Sequence, residues 1–169
     1  MVLLLGAGVV AVALAVPAGL ASSAAVSAPI VVQCRESVLE FRSSADVGSH
    51  RRVVFGAISA PPSYLPGGVV DPTSAPFSYW LKAGLAIRAG TAALTVSLPK
   101  TWRDRARIVW GAPGSPTTAL RFEPCSWQAG FWNGYSGGFL LRGGPACVPL
   151  VFEVGQRRAT LRFGVGRHC

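Results

Sequence analysis

The clearest alternation of apolar and polar residues lies at the C-terminal end of the chain. Residues 148–154 alternate as a strand, and Arg157–Val165 alternates as a returning strand. Gly155 and Gln156 stand between them, and a glycine at the first of two turn positions favours a type II′ turn. Because a turn of fixed length sets the register, this pattern predicts an antiparallel hairpin with a defined pairing.

The predicted register gives the hairpin one apolar face and one mixed face. A slip of one residue would place Phe152 and Leu161 on opposite faces, so the turn and the hydrophobic pattern support the same pairing. On the mixed, outer face, Glu153 and Arg158 form a cross-strand ion pair that contributes only about 0.2–1 kcal/mol when exposed. The pairs of the apolar face are Val148–Phe163, Leu150–Leu161 and Phe152–Ala159, and Val151–Thr160 lies on the outer face.

Shorter stretches of alternation predict the remaining strands. The segment 60–76 interrupts them, because its five prolines and two adjacent glycines are unsuited to a central strand or a helix. We expect this segment to be a long loop. The strands predicted before the hairpin are 38–42, 51–59, 77–82, 85–88, 92–98, 107–111, 118–123 and 138–142.

The composition also favours short strands over long helices. The 169 residues include 20 glycines and 13 prolines, while half of the residues are hydrophobic and can supply one core. Many short strands with frequent turns are the pattern of a two-sheet sandwich. We therefore predict an all-β, immunoglobulin-like β-sandwich of about seven to nine strands. This domain would occupy residues 29–169 and follow an N-terminal hydrophobic helix.

The first 33 residues carry no charged side chain. An apolar run over residues 2–16 is followed by Pro17 and then by small residues up to Ala28, the order found in a secretory signal peptide, although a basic n-region is missing. An uncleaved helix over residues 2–20 would also be long enough to span a bilayer. Residues 1–28 are therefore interpreted as a signal peptide or an N-terminal membrane anchor. Both interpretations predict export to the extracellular space or the cell envelope.

Export makes disulfides the expected state of the four cysteines. Of the three pairings that four cysteines allow, spacing favours a nested arrangement. Cys34 would bond to Cys169 and tie the ends of the domain, while Cys125 would bond to Cys147 and close a shorter loop. A metal site is the competing interpretation, but the sequence has no C-x-x-C or H-x-x-H spacing. We expect neither a metal nor another cofactor.

Five stretches between Lys82 and Cys169 share a pattern of aromatic, glycine and cysteine positions: KAGLAIRAG, LTVSLPKTWRDRARIVWG, FEPC, GYSGGFLLRGGPACVPL and RFGVGRHC. In this pattern the chain resembles a group of uncharacterised exported proteins from high-GC actinobacteria. The resemblance implies an envelope or extracellular location. It carries no catalytic residues that could be transferred to this chain.

The sequence also lacks the common catalytic motifs. His50 and His168 are the only histidines, and each adjoins an arginine. The GYSGG stretch around Ser136 is followed by a strand, whereas a nucleophile elbow needs a helix there. Glu36 and Glu40 lie beside arginines, which favours surface ion pairs over acid–base chemistry. We therefore expect a non-enzymatic protein with a binding or structural role; the alternatives are an extracellular hydrolase and a polyanion-binding module that uses surface arginines.

One group of candidate binding residues is aromatic. Exposed aromatic rings, here with neighbouring amide side chains, stack on sugar rings or on partner side chains. The alternative is that these rings pack as a small core over the end of the sandwich, inside a disulfide-closed loop. The residues concerned are Trp127, Phe131, Trp132 and Tyr135.

A second candidate group consists of Arg103, Arg105 and Arg107, which alternate beside Trp102. In an extended segment they would project together and bind phosphate or carboxylate groups of envelope polymers. The alternative is a solvated strand face, with Asp104 among the arginines. The net charge of +9 supports attraction to anionic surfaces. The expected partners are anionic envelope polymers or another envelope protein, and the membrane if the N-terminal segment is retained. Nucleic acid is not expected, because export separates the protein from it.

Overall fold

A computed structural model describes residues 28–48, 50–112, 114–125 and 130–169. The predicted N-terminal segment lies outside these residues apart from Ala28, and no helix among the described residues is long and apolar enough to cross a membrane.

The described chain is all-β, as predicted, with short 3₁₀ turns at Cys34–Glu36, Pro72–Ser74 and Lys100–Trp102. Its strands are β1 (Ile30–Val32), β2 (Leu39–Phe41), β3 (Arg52–Val54), β4 (Ile58–Ala60), β5 (Tyr64–Leu65), β6 (Val69–Val70), β7 (Tyr79–Lys82), β8 (Leu85–Arg88), β9 (Leu94–Ser97), β10 (Ala106–Trp110), β11 (Ala119–Phe122), β12 (Trp132–Tyr135), β13 (Gly137–Leu141), β14 (Ala146–Val154) and β15 (Arg157–Val165).

The described strands form three hydrogen-bonded sheets. The first has six strands in the order β1-β11-β9-β14-β15-β5. The other two have the orders β10-β13-β7-β6 and β2-β12-β8-β4-β3, and they are connected because β7 runs on into β8 and β12 runs on into β13. At the crossing point, the Ala83 N–H donates to the Gly137 carbonyl at 2.7 Å. We call these two sheets together the joined sheet.

The hydrophobic core lies between the six-stranded sheet and the joined sheet. Phe139 of β13 packs against Phe163 of β15 with ring centroids 5.5 Å apart. Phe122 of β11 meets Tyr135 of β12 edge-on at 4.9 Å. All four rings are buried, and aromatic pairs of this kind contribute about 0.5–1.5 kcal/mol beyond the burial of their area. These contacts pack the sheets as two layers in a sandwich-like arrangement.

The C-terminal hairpin has the predicted register. Every pair expected between the two strands is observed between β14 and β15. Gly155 has a φ of 57°, which is the conformation that the first position of a type II′ turn requires. Glu153 and Arg158 lie 3.3 Å apart in the predicted ion pair. Val151 differs from the prediction, because it is only 4% exposed although it lies on the face expected to be solvated.

Three segments differ from the sequence prediction. Residues 51–59 do not form one strand but the hairpin of β3 and β4, because Phe55 and Gly56 both have positive φ, 55° and 69°, and reverse the chain. The proline-rich segment 60–76 contains two short strands, β5 and β6, each of which lies at the edge of a sheet. Residues 132–135, expected in a loop, form β12 in the interior of the joined sheet.

The disulfides are not the predicted pairs Cys34–Cys169 and Cys125–Cys147. Cys34 bonds to Cys125, and Cys147 bonds to Cys169. The nested prediction assumed that the two ends of the domain meet. Instead, β1 pairs in parallel with β11, so the residues that follow these two strands leave the sheet side by side. Cys34 and Cys125 follow β1 and β11 closely, and their Cα atoms are 5.5 Å apart.

Cys169 reaches Cys147 because the C-terminal tail folds back over β15. Cys147 pairs with Gly164 across the hairpin, and Gly166 reverses the chain with a φ of 69°. A Cβ atom at Gly164 would lie 2.2 Å from the Arg167 carbonyl oxygen, so the tail packs directly on bare backbone. A larger residue at position 164 would keep the last cysteine away from its partner.

Candidate functional site

The outer face of the joined sheet is formed by alternate residues of its two central strands. Trp80 and Lys82 point away from the core, since successive side chains of a strand face opposite sides. Leu140 lies directly across from Trp80, and Gly138 lies across from Lys82. The buried residues that alternate with them are Tyr79, Leu81, Leu85 and Ile87 on one strand and Tyr135, Phe139 and Leu141 on the other.

An open groove of about 660 Å³ lies on this outer face, within the usual size range of small-molecule sites. We call it the tryptophan groove, because Trp80 and Leu140 are half-buried in its floor. Val69 of β6 continues the same row beside Trp80, and Val109 of β10 adds a further apolar side chain. The polar residues that line the groove are Asp71, Ser74, Ser78 and Ser136.

Three arginines occupy one corner of the same face, and we call Arg105, Arg107 and Arg142 the arginine corner. Arg107 lies directly across from Leu140 of the groove floor. The Arg142 N–H donates to the Arg105 carbonyl at 2.9 Å, which makes these two residues cross-strand neighbours. Like charges placed opposite each other destabilise a sheet. Placing these positive charges close together therefore lowers the stability of the fold.

Two aromatic rings hold the guanidinium groups of the corner. Arg107 lies 4.2 Å and Arg142 lies 5.4 Å from the centroid of the same ring, Phe77. Arg105 lies 4.4 Å from the ring centroid of Trp102. At exposed sites each such contact is worth about 0.5–1 kcal/mol. Because Phe77 also lines the tryptophan groove, the arginine corner adjoins that groove at this ring.

Backbone hydrogen bonds fix the orientation of Arg107. Its Nη1 donates to the carbonyl oxygens of Arg103 and Ala106, the second at 2.8 Å. Partial burial lowers the pKa of Arg107; the charge of Asp104 opposes this effect and that of Arg142 adds to it. An arginine nevertheless stays protonated at neutral pH. An anion bound at the corner would offset the repulsion between Arg107 and Arg142.

Carboxylates of the described chain form no ion pair with the arginine corner, although the charge of Asp104 acts on Arg107. Asp71 is the acidic residue that lines the groove, and its carboxylate accepts hydrogen bonds from Thr73 and Ser74, which lower its pKa. The ion pairs found within the described residues both lie elsewhere: Arg121–Glu123 and Arg158–Glu153. The corner is therefore a cationic site beside an apolar groove, a combination that suits a ligand with a phosphate or carboxylate group.

The structure brings together two of the three arginines of the predicted patch. Arg105 and Arg107 lie in the corner, but Arg103 ends a 3₁₀ turn with φ −64° and ψ −25°, so the segment is not extended there. Its backbone carbonyl contributes instead by accepting a hydrogen bond from Arg107. Arg142 was missed, since its place in the corner depends on the pairing of β13 with β10. The sequence offers no local signal for that pairing.

The predicted aromatic candidates do not gather on one exposed surface within the described residues. Trp132 is 7% exposed and Tyr135 is 2% exposed, because both belong to β12 in the interior of the sheet. Phe131 is half-buried just before the strand, and Trp127 lies outside the described residues. The aromatic residues that border the groove are Phe77 and Trp80.

The residues with catalytic potential are dispersed. Ser136 lines the groove, but neither histidine is among the residues that line it. His168 instead stacks on Tyr64 with ring centroids 3.8 Å apart, and His50 lies exposed at a φ of 58°. Within the described residues no group of three or more histidines, cysteines, aspartates or glutamates could hold a metal ion. The arrangement at the groove supports binding better than bond cleavage.

No protein-family model, curated protein or solved structure matches this chain.

Proposed function

We propose that this protein is a non-enzymatic binding protein of the cell envelope that holds anionic envelope polymers at the arginine corner. The proposal rests on the pair Arg107 and Arg142, which share the ring of Phe77 and form no ion pair with a described carboxylate. A phosphate or carboxylate would bind between the two guanidinium groups through charge-assisted hydrogen bonds. The adjoining floor of Trp80 and Leu140 would cover the apolar face of the neighbouring unit of the polymer.

Binding accounts for this site better than hydrolysis, the alternative function. Ser74, Ser78 and Ser136 line the groove, but a serine nucleophile needs a base within hydrogen-bond reach. Both histidines lie away from the groove, and Asp71 is occupied by its own turn. A structural role in contact with another envelope protein would use the same apolar and cationic surface.

The location that we propose follows from the N-terminal segment and the cysteines. Residues 1–28 would act as a signal peptide or remain as a membrane anchor. Two disulfides are compatible with an oxidising compartment outside the cytoplasm. We also propose that the sandwich is immunoglobulin-like and that the protein belongs with the exported actinobacterial proteins that its C-terminal pattern resembles.

The double variant Arg107→Ala/Arg142→Ala tests this function. Inorganic polyphosphate and polygalacturonate serve as phosphate and carboxylate probes, with binding measured by calorimetry at several salt concentrations. A hydrogen bond to a charged group contributes about 1.5–3 kcal/mol, so the double variant should lose at least about tenfold in affinity. Its affinity should also depend less on salt, because fewer charges attract the probe.

The control variant Arg121→Ala/Arg158→Ala removes the same net charge from exposed positions outside the groove. It should bind both probes almost as well as the parent protein. Equal losses in the two double variants would show that net charge alone attracts the polymers. The proposal would also be wrong if the parent protein bound neither probe at low salt.

A further inference from the structure

A second groove, of about 490 Å³, lies farther along the outer face of the joined sheet. We call it the lysine groove, because Lys82 lines it together with Arg51. One wall is apolar and includes Leu39, which is 59% exposed, and Phe41. Neither cation forms an ion pair with a described carboxylate, and no acidic residue lines this groove.

Arg51 is held rigidly at the floor of the lysine groove. Its Nε donates to Ser59 Oγ at 3.0 Å, and its Nη2 donates to the carbonyl oxygens of Ser59 and Gly84, the latter at 2.7 Å. Burial lowers the pKa of Arg51 to about 10, so it is still a cation at neutral pH. Within the described residues its hydrogen bonds use Nε and Nη2, which leaves Nη1 for a ligand.

The lysine groove and the tryptophan groove meet at Ser136, which lines both. Beyond Trp80, the outward positions of the central strands are occupied by Lys82 and by small residues. Gly138 lies across from Lys82, and Gly84 also lines the lysine groove. Small residues here keep the floor low where the two grooves meet.

The charges are spaced along this floor. Tyr79 lies across from Leu141, so its neighbour Ser78 lies at the level of Arg142. Gly84, six positions farther along the chain, accepts a hydrogen bond from Arg51. At about 3.3 Å per residue, the two ends are about 20 Å apart. Lys82 stands between them. A single small anion could contact only one of these positions.

We propose that the two grooves form one continuous track for a linear polymer with repeating anionic groups, which runs from the arginine corner past Lys82 to Arg51. This inference rests on the proposed function and adds that the ligand must be extended and multiply charged. The anionic groups would contact the arginine corner, Lys82 and Arg51 in turn. The uncharged parts of the polymer would lie over Trp80 and over the exposed wall of the lysine groove.

Affinity should therefore increase with the length of the polymer until the track is filled. Polyphosphates and oligogalacturonates of graded length are suitable probes, compared at equal concentrations of anionic groups. Affinity per anionic group should rise severalfold from probes that cover only the arginine corner to probes longer than the track, and then level off. Constant affinity per group over the whole series would overturn the continuous track.

Three variants locate the path of the polymer. Lys82→Ala should lower the affinity for long probes severalfold, toward that of short probes. Ser136→Trp should block the junction and have the same effect. Arg88→Ala is the matched control, since Arg88 is an exposed residue on the same continuous strand but lines neither groove. Long probes should bind this control as they bind the parent protein.

The outcomes separate this inference from the proposed function. If Arg107→Ala/Arg142→Ala weakens binding while Lys82→Ala behaves like Arg88→Ala, the arginine corner binds anions but the track is wrong. If neither change weakens binding, both proposals are wrong. If phosphate chains show the length dependence and carboxylate chains do not, the track is specific for phosphate polymers.

Discussion

At the scale of single residues, opposing contributions to the free energy of folding nearly cancel at the arginine corner. Arg105 and Arg142 are cross-strand neighbours of like charge, which costs roughly 0.2–1 kcal/mol. Their contacts with Trp102 and Phe77 contribute about as much in the other direction. The folded protein therefore keeps these arginines together at little net cost. A bound anion would add a favourable interaction that the free protein lacks.

Tyr135 provides a prediction at this scale. Its side chain is buried, and its hydroxyl lies 3.5 Å from Cys125 Sγ. Burial, and to a lesser extent the charge of Glu36, raises the pKa of Tyr135 from 10.0 to about 12. The contribution of the neutral side chain to stability is therefore complete below pH 10 and is lost as the pH rises through about 12.

The near-ultraviolet absorbance of phenolate measures this effect directly. The chain has three tyrosines, and one of them should ionise near pH 12 in the folded protein. Tyr135→Phe should remove that step and leave the rest of the titration in place. If Tyr135→Phe instead lost absorbance change near pH 10, the burial of this hydroxyl would be contradicted.

At the scale of elements, the sequence predicted strands best where alternation is long. β14 and β15 have nine residues each and are joined by a two-residue turn, so pattern and turn determine one register. β12 was missed because its four residues, WNGY, contain no apolar–polar alternation: all four are buried between two neighbouring strands. The sequence of a strand in the interior of a sheet does not indicate which strands will pair with it on either side.

The candidate site was predicted in part for the same reason. Arg105 and Arg107 are close in sequence and could be grouped from their spacing. Arg142 and Phe77 join them only through pairing between distant strands and through contacts of their side chains. The cysteines are a parallel case, since their partners depend on the pairing of β1 with β11 and on the return of the C-terminal tail.

The hairpin supports a prediction for the two faces of β14 and β15. Phe152 is fully buried, so Phe152→Ala should destabilise the oxidised protein by about 3–5 kcal/mol. Thr160 is exposed on the other face, and Thr160→Ala should cost less than about 1 kcal/mol. Leu161 is only half-buried, so Leu161→Ala should fall between them.

Thermal midpoints with the disulfides intact measure these three costs. The same ranking should be obtained with chemical denaturation. Equal losses for Phe152→Ala and Thr160→Ala would mean that both faces of the hairpin are covered to the same extent. The packing of Phe152 and Phe163 between the layers would then be wrong.

At the scale of the whole molecule, the two disulfides act on different parts of the chain. The Cys34–Cys125 bond spans 91 residues and connects the start of the described chain to the end of β11, whereas the Cys147–Cys169 bond spans 22 residues and holds the C-terminal tail on its own hairpin. In the chain-entropy account, the longer loop contributes about 4.6 kcal/mol and the shorter about 3.4 kcal/mol.

Replacement of each cysteine pair by alanine tests this division. Cys34→Ala/Cys125→Ala should lower the free energy of unfolding more than Cys147→Ala/Cys169→Ala does, by about 1 kcal/mol. Nonreducing peptide mapping of the parent protein should find the corresponding two linkages. A peptide that joins Cys34 to Cys169 would contradict the parallel placement of β1 beside β11.

The pairing of the cysteines also bears on how the protein matures. Each cysteine is bonded to the next one along the chain, Cys34 to Cys125 and Cys147 to Cys169. For a chain that emerges N-terminus first, Cys125 meets only Cys34, and the first bond can close before Cys147 is present. Cys147 and Cys169 are then the two cysteines that remain to form the second bond. Correct oxidation can therefore proceed in the order of emergence, without reshuffling by an isomerase, whereas a nested arrangement would have required Cys34 to remain reduced until Cys169 appeared.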